Sequence, residues 1–197
     1  MAGGPRRTPA TRSASERPAT AHVALLRGIN VGGKHILPMK DLAAIFSAAG
    51  CTDVITYIQS GNVVFDARAA LARGLPAAIA AAILSRFGHR VPVILRSAGE
   101  LDEIVQANPF VATGADPATL HVAFLAAVPD AARLAALDPH RSPRDELAAG
   151  KQELYLRLRD GVGRTKLTSA YLDATLATTS TLRNWRTVLA LRDLSRR

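Results

Sequence analysis

Two runs of β-branched and aromatic residues, Val54–Gln59 and Asn62–Phe65, are separated only by Ser60-Gly61, and that spacing predicts a tight antiparallel hairpin. A strand at His22–Leu26 precedes it, followed by a polar loop (Arg27–Leu37) and a helix opening at Pro38, whose fixed φ suits a first helical position. In that helix Met39, Leu42, Ile45 and Phe46 recur at helical spacing, and Gly50 ends it. An alanine-rich helix over about 68–87 and a strand at Val91–Leu95 come after the hairpin. The order is βαββαβ, the split βαβ or ferredoxin-like unit.

The rest of the chain repeats the rhythm. A linking helix (Gly99–Gln106) and the Asn108-Pro109-Phe110 turn lead to a strand at Leu120–Ala126 and a short helix at Asp130–Ala136. A hairpin joining Asp145–Ala148 to Glu153–Leu158, a helix over Leu167–Leu176, a short strand or cap at Thr179–Arg183 and a helix at Trp185–Leu194 complete it. The expectation is an α+β fold of two ferredoxin-like subdomains, 21–97 and 98–197, with antiparallel or mixed sheets. Residues 1–20, rich in Ala, Pro, Arg, Thr and Ser, carry no large apolar residue after Met1 and are expected to be a disordered tail.

Composition narrows the function classes. A single cysteine, Cys51, excludes an intrachain disulfide, and the five scattered histidines form no zinc-site spacing. No metal or cofactor is expected. The longest apolar stretch, Ala77–Leu84, is far short of the roughly 20 residues that span a bilayer. With no apolar segment behind Arg6-Arg7, a cytoplasmic location without membrane insertion is expected. The net charge is +9, and four arginines against one glutamate put +3 of it in the first twenty residues, leaving +6 for the folded part. That balance favours an anionic partner; oligomeric state is left open.

Three constellations could receive such a partner. In LLRGINVGGKHILPM (Leu25–Met39), Gly28, Gly33 and Lys34 match the first seven positions of a phosphate-binding P-loop, but His35 stands where the magnesium-binding hydroxyl belongs. Gly32 and Gly33 still allow a concave backbone, Arg27 and Lys34 supply charge, and Asn30 adds an amide; a plain strand-to-helix connection explains the same glycines. At the hairpin tip Gln59, Ser60 and Asn62 can read a base edge or ribose, or simply form the turn. Lys166 in GRTKLT belongs to the third, with Arg183, Asn184 and Trp185. Thr179, Ser180 or Thr181 is expected to cap the last helix, putting Arg183 and Asn184 near free N–H groups, and Trp185 either stacks a base or fills core.

These segments contain no Asp or Glu, which disfavours two-carboxylate hydrolysis and carboxylate-clustered metal chemistry.

The same segments carry a family resemblance. LLRGINVGGK, Met39-x-x-Leu42, TYIQSGNVVF, Asn108-Pro109-Phe110, HVAFL, Lys166-Leu167-Thr168 and Thr181-x-Arg183-Asn184-Trp185-x-Thr187-Val188 resemble the bacterial domain of unknown function 1697 family over about residues 22–191. The resemblance implies paired ferredoxin-like subdomains and brings no activity. The chain departs from the family at Thr165, where Ser is usual, and at Arg186, where Asn is usual. The leading expectation is a module that binds a phosphorylated ligand, nucleic acid or nucleotide, in a basic cleft between the halves. An enzyme of phosphoryl or nucleotidyl transfer or nucleoside hydrolysis, with Asp66 or Asp173 recruited as its carboxylate, and a protein-interaction domain are the alternatives.

Overall fold

A computed structural model describes residues 18–33 and 35–196; Lys34 and most of the expected tail lie outside the described residues. The first half runs β1 (Thr20–Leu26), α1 (Met39–Ala48), β2 (Thr52–Tyr57), β3 (Asn62–Ala67), α2 (Ala69–Ala72), α3 (Leu75–Phe87) and β4 (Val93–Ser97). After α4 (Ala98–Gln106), α5 (Pro109–Ala112) and a turn of 3-10 helix (Pro117–Thr119), the second half runs β5 (Leu120–Leu125), α6 (Ala131–Ala135), β6 (Glu146–Ala149), β7 (Glu153–Arg157), α7 (Ser169–Leu176) and β8 (Ser180–Asn184). Helix α8 (Trp185–Ser195) follows β8 without a break. The sheets have the orders β2-β3-β1-β4 and β6-β7-β5-β8, antiparallel throughout. Each half is therefore a ferredoxin-like unit, as the element order predicted. Among the described residues no helix is long and apolar enough to cross a membrane.

Several boundaries differ from the sequence reading for identifiable reasons. The first hairpin turns through four residues, Ile58–Gly61, because Ile58 adopts a left-handed φ of 48° and ends β2 early. The alanine-rich helix breaks at Arg73-Gly74: Pro76 has no amide hydrogen and its ring clashes with the carbonyl four residues back, so α3 starts afresh. Pro38 caps α1 from outside rather than opening it. Thr20, assigned by composition to the tail, pairs with Ala67 at the start of β1. The cap of α8 is Asn184, whose Oδ1 accepts from Thr187 N at 2.8 Å; residues 180–184, expected in part to cap, form the complete strand β8.

A ferredoxin-like sheet covers one face with its own two helices, and here the opposite faces are covered as well. One core packs α1 and α3 on the outer face of the first sheet, through Leu42, Phe46, Ile79 and Ile83 against Ala24, Leu26 and Phe65. A second packs α7 on the outer face of the second sheet, through Leu172 and Leu176 against Leu154 and Leu156. Between the sheets, α4 and α8 form a shared layer in which Leu101, Ile104, Trp185, Val188 and Leu191 meet Val23, Leu25 and Val64 from one sheet and Val122, Phe124 and Tyr155 from the other. Strands β1 and β5 are thus buried on both faces, which explains runs such as HVALL and LHVAFL with no polar alternation.

One glycine fixes how closely the hairpin approaches β1. A Cβ on Gly61 would stand 2.7 Å from Leu26 Cβ and 3.0 Å from the Ile29 side chain, at a φ of +76°. Gly61→Ala is expected to cost about 2 kcal/mol and lower Tm by roughly 4–8 °C, which thermal unfolding followed by far-UV circular dichroism checks.

Candidate functional site

Polar groups from the first two constellations and from β8 converge on the seam between the halves, and most are used there by the fold itself. Arg183 is 7% exposed. Its Nε donates to Asn62 Oδ1 at 2.6 Å, Nη1 to Thr181 Oγ1 and Leu182 O at 2.8 Å each, and Nη2 to Leu26 O at 2.7 Å and to Ser60 O and Gly61 O at 3.2 Å each. Every partner is neutral, and burial pulls the guanidinium down to about 10, still charged at neutral pH. Asn62 in turn donates to Tyr57 O and Ser60 Oγ. Asn30 spends its amide on Leu37 O, Gln59 O and Leu37 N, tying the glycine loop to the hairpin.

Arg27 pairs with Asp173, which also accepts from Ser180 N and Oγ at 2.7 Å each. Asp173, one of the two carboxylates that the transferase reading would recruit, is therefore at the seam but occupied. Gly32, Gly33 and Gln59 are exposed at the loop tips, and nothing lies within 4 Å of a Cβ built on either glycine. Helix α1 starts only at Met39, five residues after Lys34, so the loop does not feed a helix N-terminus as a P-loop does. Lys166 belongs elsewhere, beside Arg141 and Ser142 on the outer side of the second half. Trp185 is 4% exposed and sits in the shared core, where no base could stack on it.

Sequence reasoning missed a second arginine that mirrors the first. Arg96 is the fourth residue of β4, as Arg183 is of β8, and it is 4% exposed. Nη1 donates to the preceding carbonyl, Leu95 O, at 2.7 Å; Nη2 donates to Leu125 O at 2.9 Å and Gln152 O at 2.6 Å. Leu125 ends β5 as Leu26 ends β1, and Gln152 precedes β7 as Gly61 precedes β3. Even the backbone bond between the acceptors repeats, Leu26 N to Gly61 O at 2.8 Å and Leu125 N to Gln152 O at 3.1 Å. Each half thus sends one buried arginine into the strand ends of the other. The available signal was the repeated junction Leu95-Arg96-Ser97 and Leu182-Arg183-Asn184, where the residue after each arginine caps a helix of the shared layer.

The two helix heads differ in charge. Ser97 and Glu100 form a reciprocal capping box on α4, so a carboxylate sits at its positive end. The first turn of α8 has no acidic residue and exposes Arg186. Beside it is a groove of about 290 Å³ lined by Pro117, Ala118, His121, Asn184 and Arg186. His121 is 6% exposed, and its Nδ1 lies 3.1 Å from Thr119 O, a pure acceptor, so Nδ1 carries the hydrogen and Nε2 is left without a partner among the described residues. Burial lowers the imidazole from its ordinary 6.5. Among the described residues no group of three or more His, Cys, Asp or Glu is placed to hold a metal ion, and burial pushes the Cys51 thiol up to about 11, away from nucleophilic use.

Comparison with known proteins agrees with the duplicated architecture. The family model described as a protein of unknown function, DUF1697, matches residues 19–155. The chain belongs to that family. The conserved bacterial protein SP0830 from Streptococcus pneumoniae superposes on this DUF1697 protein with a TM-score of 0.71 at 22% identity, over 90% of this chain and 99% of that one, so the two share the fold. None of the curated proteins matches.

Arg183→Met strips donors from six oxygens of other residues at once and is expected to cost about 3 kcal/mol or more. Asp173→Asn keeps Oδ1 for Ser180 and loses only a partly exposed ion pair, so it should cost under about 1 kcal/mol. Urea denaturation of both variants checks the contrast.

Proposed function

We propose that this protein binds a phosphorylated ligand, a nucleic acid strand or a nucleotide, with a phosphate seated at the head of α8. The supporting observation is the unneutralised positive end of that helix. The first turn holds no acid, Arg186 is exposed on it, and Arg183 lies one residue before the cap with its charge met only by dipoles. A buried cation without a counter-ion adds to the helix field at this point, whereas Glu100 offsets that field at the equivalent end of α4. The net charge of +9 extends the attraction beyond the groove and favours a polyanion over a single phosphate. A free, buried thiol is consistent with a cytoplasmic setting.

His121 makes the site pH-dependent in a definite direction. In the neutral form its Nε2 accepts, which suits a ligand hydroxyl beside the phosphate; when protonated, Nε2 donates to the phosphate itself. Without ligand, the lowered imidazole means that its contribution to stability is fully present above the ordinary value of 6.5 and is lost as pH falls from there through the lower folded value. A bound anion reverses this, so affinity for phosphate rises as pH drops from 7.5 toward 6.

Fluorescence anisotropy with a labelled single-stranded oligonucleotide, and thermal shift with nucleotides and inorganic phosphate, test the reading. Binding should weaken steeply with salt. Arg186→Glu should reduce affinity by about tenfold or more, and His121→Ala should flatten the pH dependence while the protein stays folded. Equal binding by wild type and Arg186→Glu across both assays would place any anion site elsewhere.

A further inference from the structure

The two arginine clamps are equivalent in the fold but not in completion. At the Arg183 clamp, Asn62, the first residue of β3, closes the ring by accepting from Nε at 2.6 Å. The matching position at the Arg96 clamp is Glu153, the first residue of β7, and its carboxylate is not among the hydrogen-bond partners of the guanidinium. Glu153 Oε1 accepts from Lys151 N at 3.2 Å and from the Tyr155 hydroxyl at 3.0 Å, and Oε2 accepts from Gln152 N at 3.0 Å. Gly150 makes this fold-back possible, since a Cβ there would stand 1.9 Å from Glu153 Oε1.

Where the clamp is left open, a groove of about 640 Å³ appears between α4 and the β6–β7 hairpin, a size ordinary for small-molecule sites. Arg96, Glu153 and Tyr155 line it and are 4%, 5% and 2% exposed; Ile104, Pro109 and Val128 are among its apolar walls, and Glu100, Glu103 and Lys151 also border it. Arg96 Nε, the donor that Asn62 satisfies at the other clamp, makes no hydrogen bond among the described residues. Glu153 has only neutral hydrogen-bond donors, and two carboxylates act on Arg96 through space without a close ion pair, first Glu100, which is spent on the Ser97 cap, and then Glu153. Buried charges without ion pairs are costly unless something completes them. A cation and an anion, neither held in a close ion pair and both lining one cavity with largely apolar walls, are complementary to a molecule carrying the opposite two charges and an apolar body.

We infer that the groove between α4 and the β6–β7 hairpin binds a small zwitterion of the amino-acid type with an apolar side chain, its carboxylate on Arg96 Nε and its ammonium on Glu153. The ligand takes the place that the Asn62 side chain fills at the Arg183 clamp. The Lys151–Glu103 ion pair at 2.6 Å joins the hairpin to α4 across the rim, and both partners are more than half exposed, so it opens at little cost.

The test is isothermal titration of the full chain with L-leucine, with isoamylamine, which lacks the carboxylate, and with 4-methylpentanoate, which lacks the ammonium. Leucine should bind with each single-charge analogue at least about tenfold weaker, the loss of one charge-assisted hydrogen bond. Ala107→Trp, at an exposed rim position, should abolish leucine binding while leaving Tm within a few degrees of wild type. Glu153→Gln should weaken leucine and leave 4-methylpentanoate unchanged. The inference is overturned if leucine gives no heat at millimolar concentration, if isoamylamine or 4-methylpentanoate binds as well as leucine, or if Ala107→Trp leaves leucine binding intact. None of these outcomes depends on the phosphate site at α8, which is scored separately by oligonucleotide binding.

Discussion

A guanidinium buried without a carboxylate is the constraint around which the two halves are arranged. Removing such a group from water costs several kcal/mol, and Arg183 recovers this only because its acceptors are held at fixed positions by a strand end, a four-residue turn and a neighbouring amide. Those positions depend on Gly61 approaching Leu26 closely, on Asn62 being oriented by Ser60, and on Asn30 tying the loop after β1 to the turn. Shift the halves by one residue along the seam and the charge loses most of its partners. The clamp thus acts mainly on specificity of docking, with the apolar layer of α4 and α8 supplying the bulk of the attraction.

Much of the polar character that pointed to a ligand is consumed in this arrangement, and that alters what the composition of those segments means. Acid-free loops rich in Asn, Gly and Arg are what an anion site needs, and they are equally what a seam built from carbonyls and one cation needs. Arg183, Asn62 and Asn30 serve the second purpose. The positive charge remains after their hydrogen bonds are spent, because dipoles solvate a charge without cancelling it, and Arg183 stands one residue before the cap of α8.

The element order and both ferredoxin-like halves were legible in the sequence because they rest on local signals: β-branched runs, helical spacing at Met39–Phe46, and turn residues at Ser60-Gly61. Boundaries moved where a single backbone preference prevailed, as at Pro76 and Ile58. The relation between the halves was not read, although a signal was present: β1 and β5 are apolar without alternation, which an open-faced sheet does not tolerate. Of the site, Asn184 was legible as part of a helix head, while Arg96, Glu153 and Tyr155 were not. An isolated charge in a strand looks the same in sequence whether it faces solvent or a cavity, and only the matched Leu-Arg junctions before α4 and α8 distinguish these two arginines from the other Lys and Arg residues of the chain.

A duplicated framework also shows where to look for function. Features shared by both copies, the arginine clamps, the capped helices and the bonded strand ends, satisfy the fold's own requirements twice over. Features that differ owe nothing to those requirements. Two differences stand out: α8 lacks the acid that α4 carries in its first turn, and Glu153 makes no hydrogen bond to Arg96, whereas its counterpart Asn62 accepts one from Arg183. One leaves a helix end without an acid to offset it, and the other leaves opposite charges without a close ion pair beside a cavity. In each case the less satisfied copy lies beside an open groove, so the asymmetry between the halves and the placing of these grooves go together with which charges the fold neutralises and which it does not.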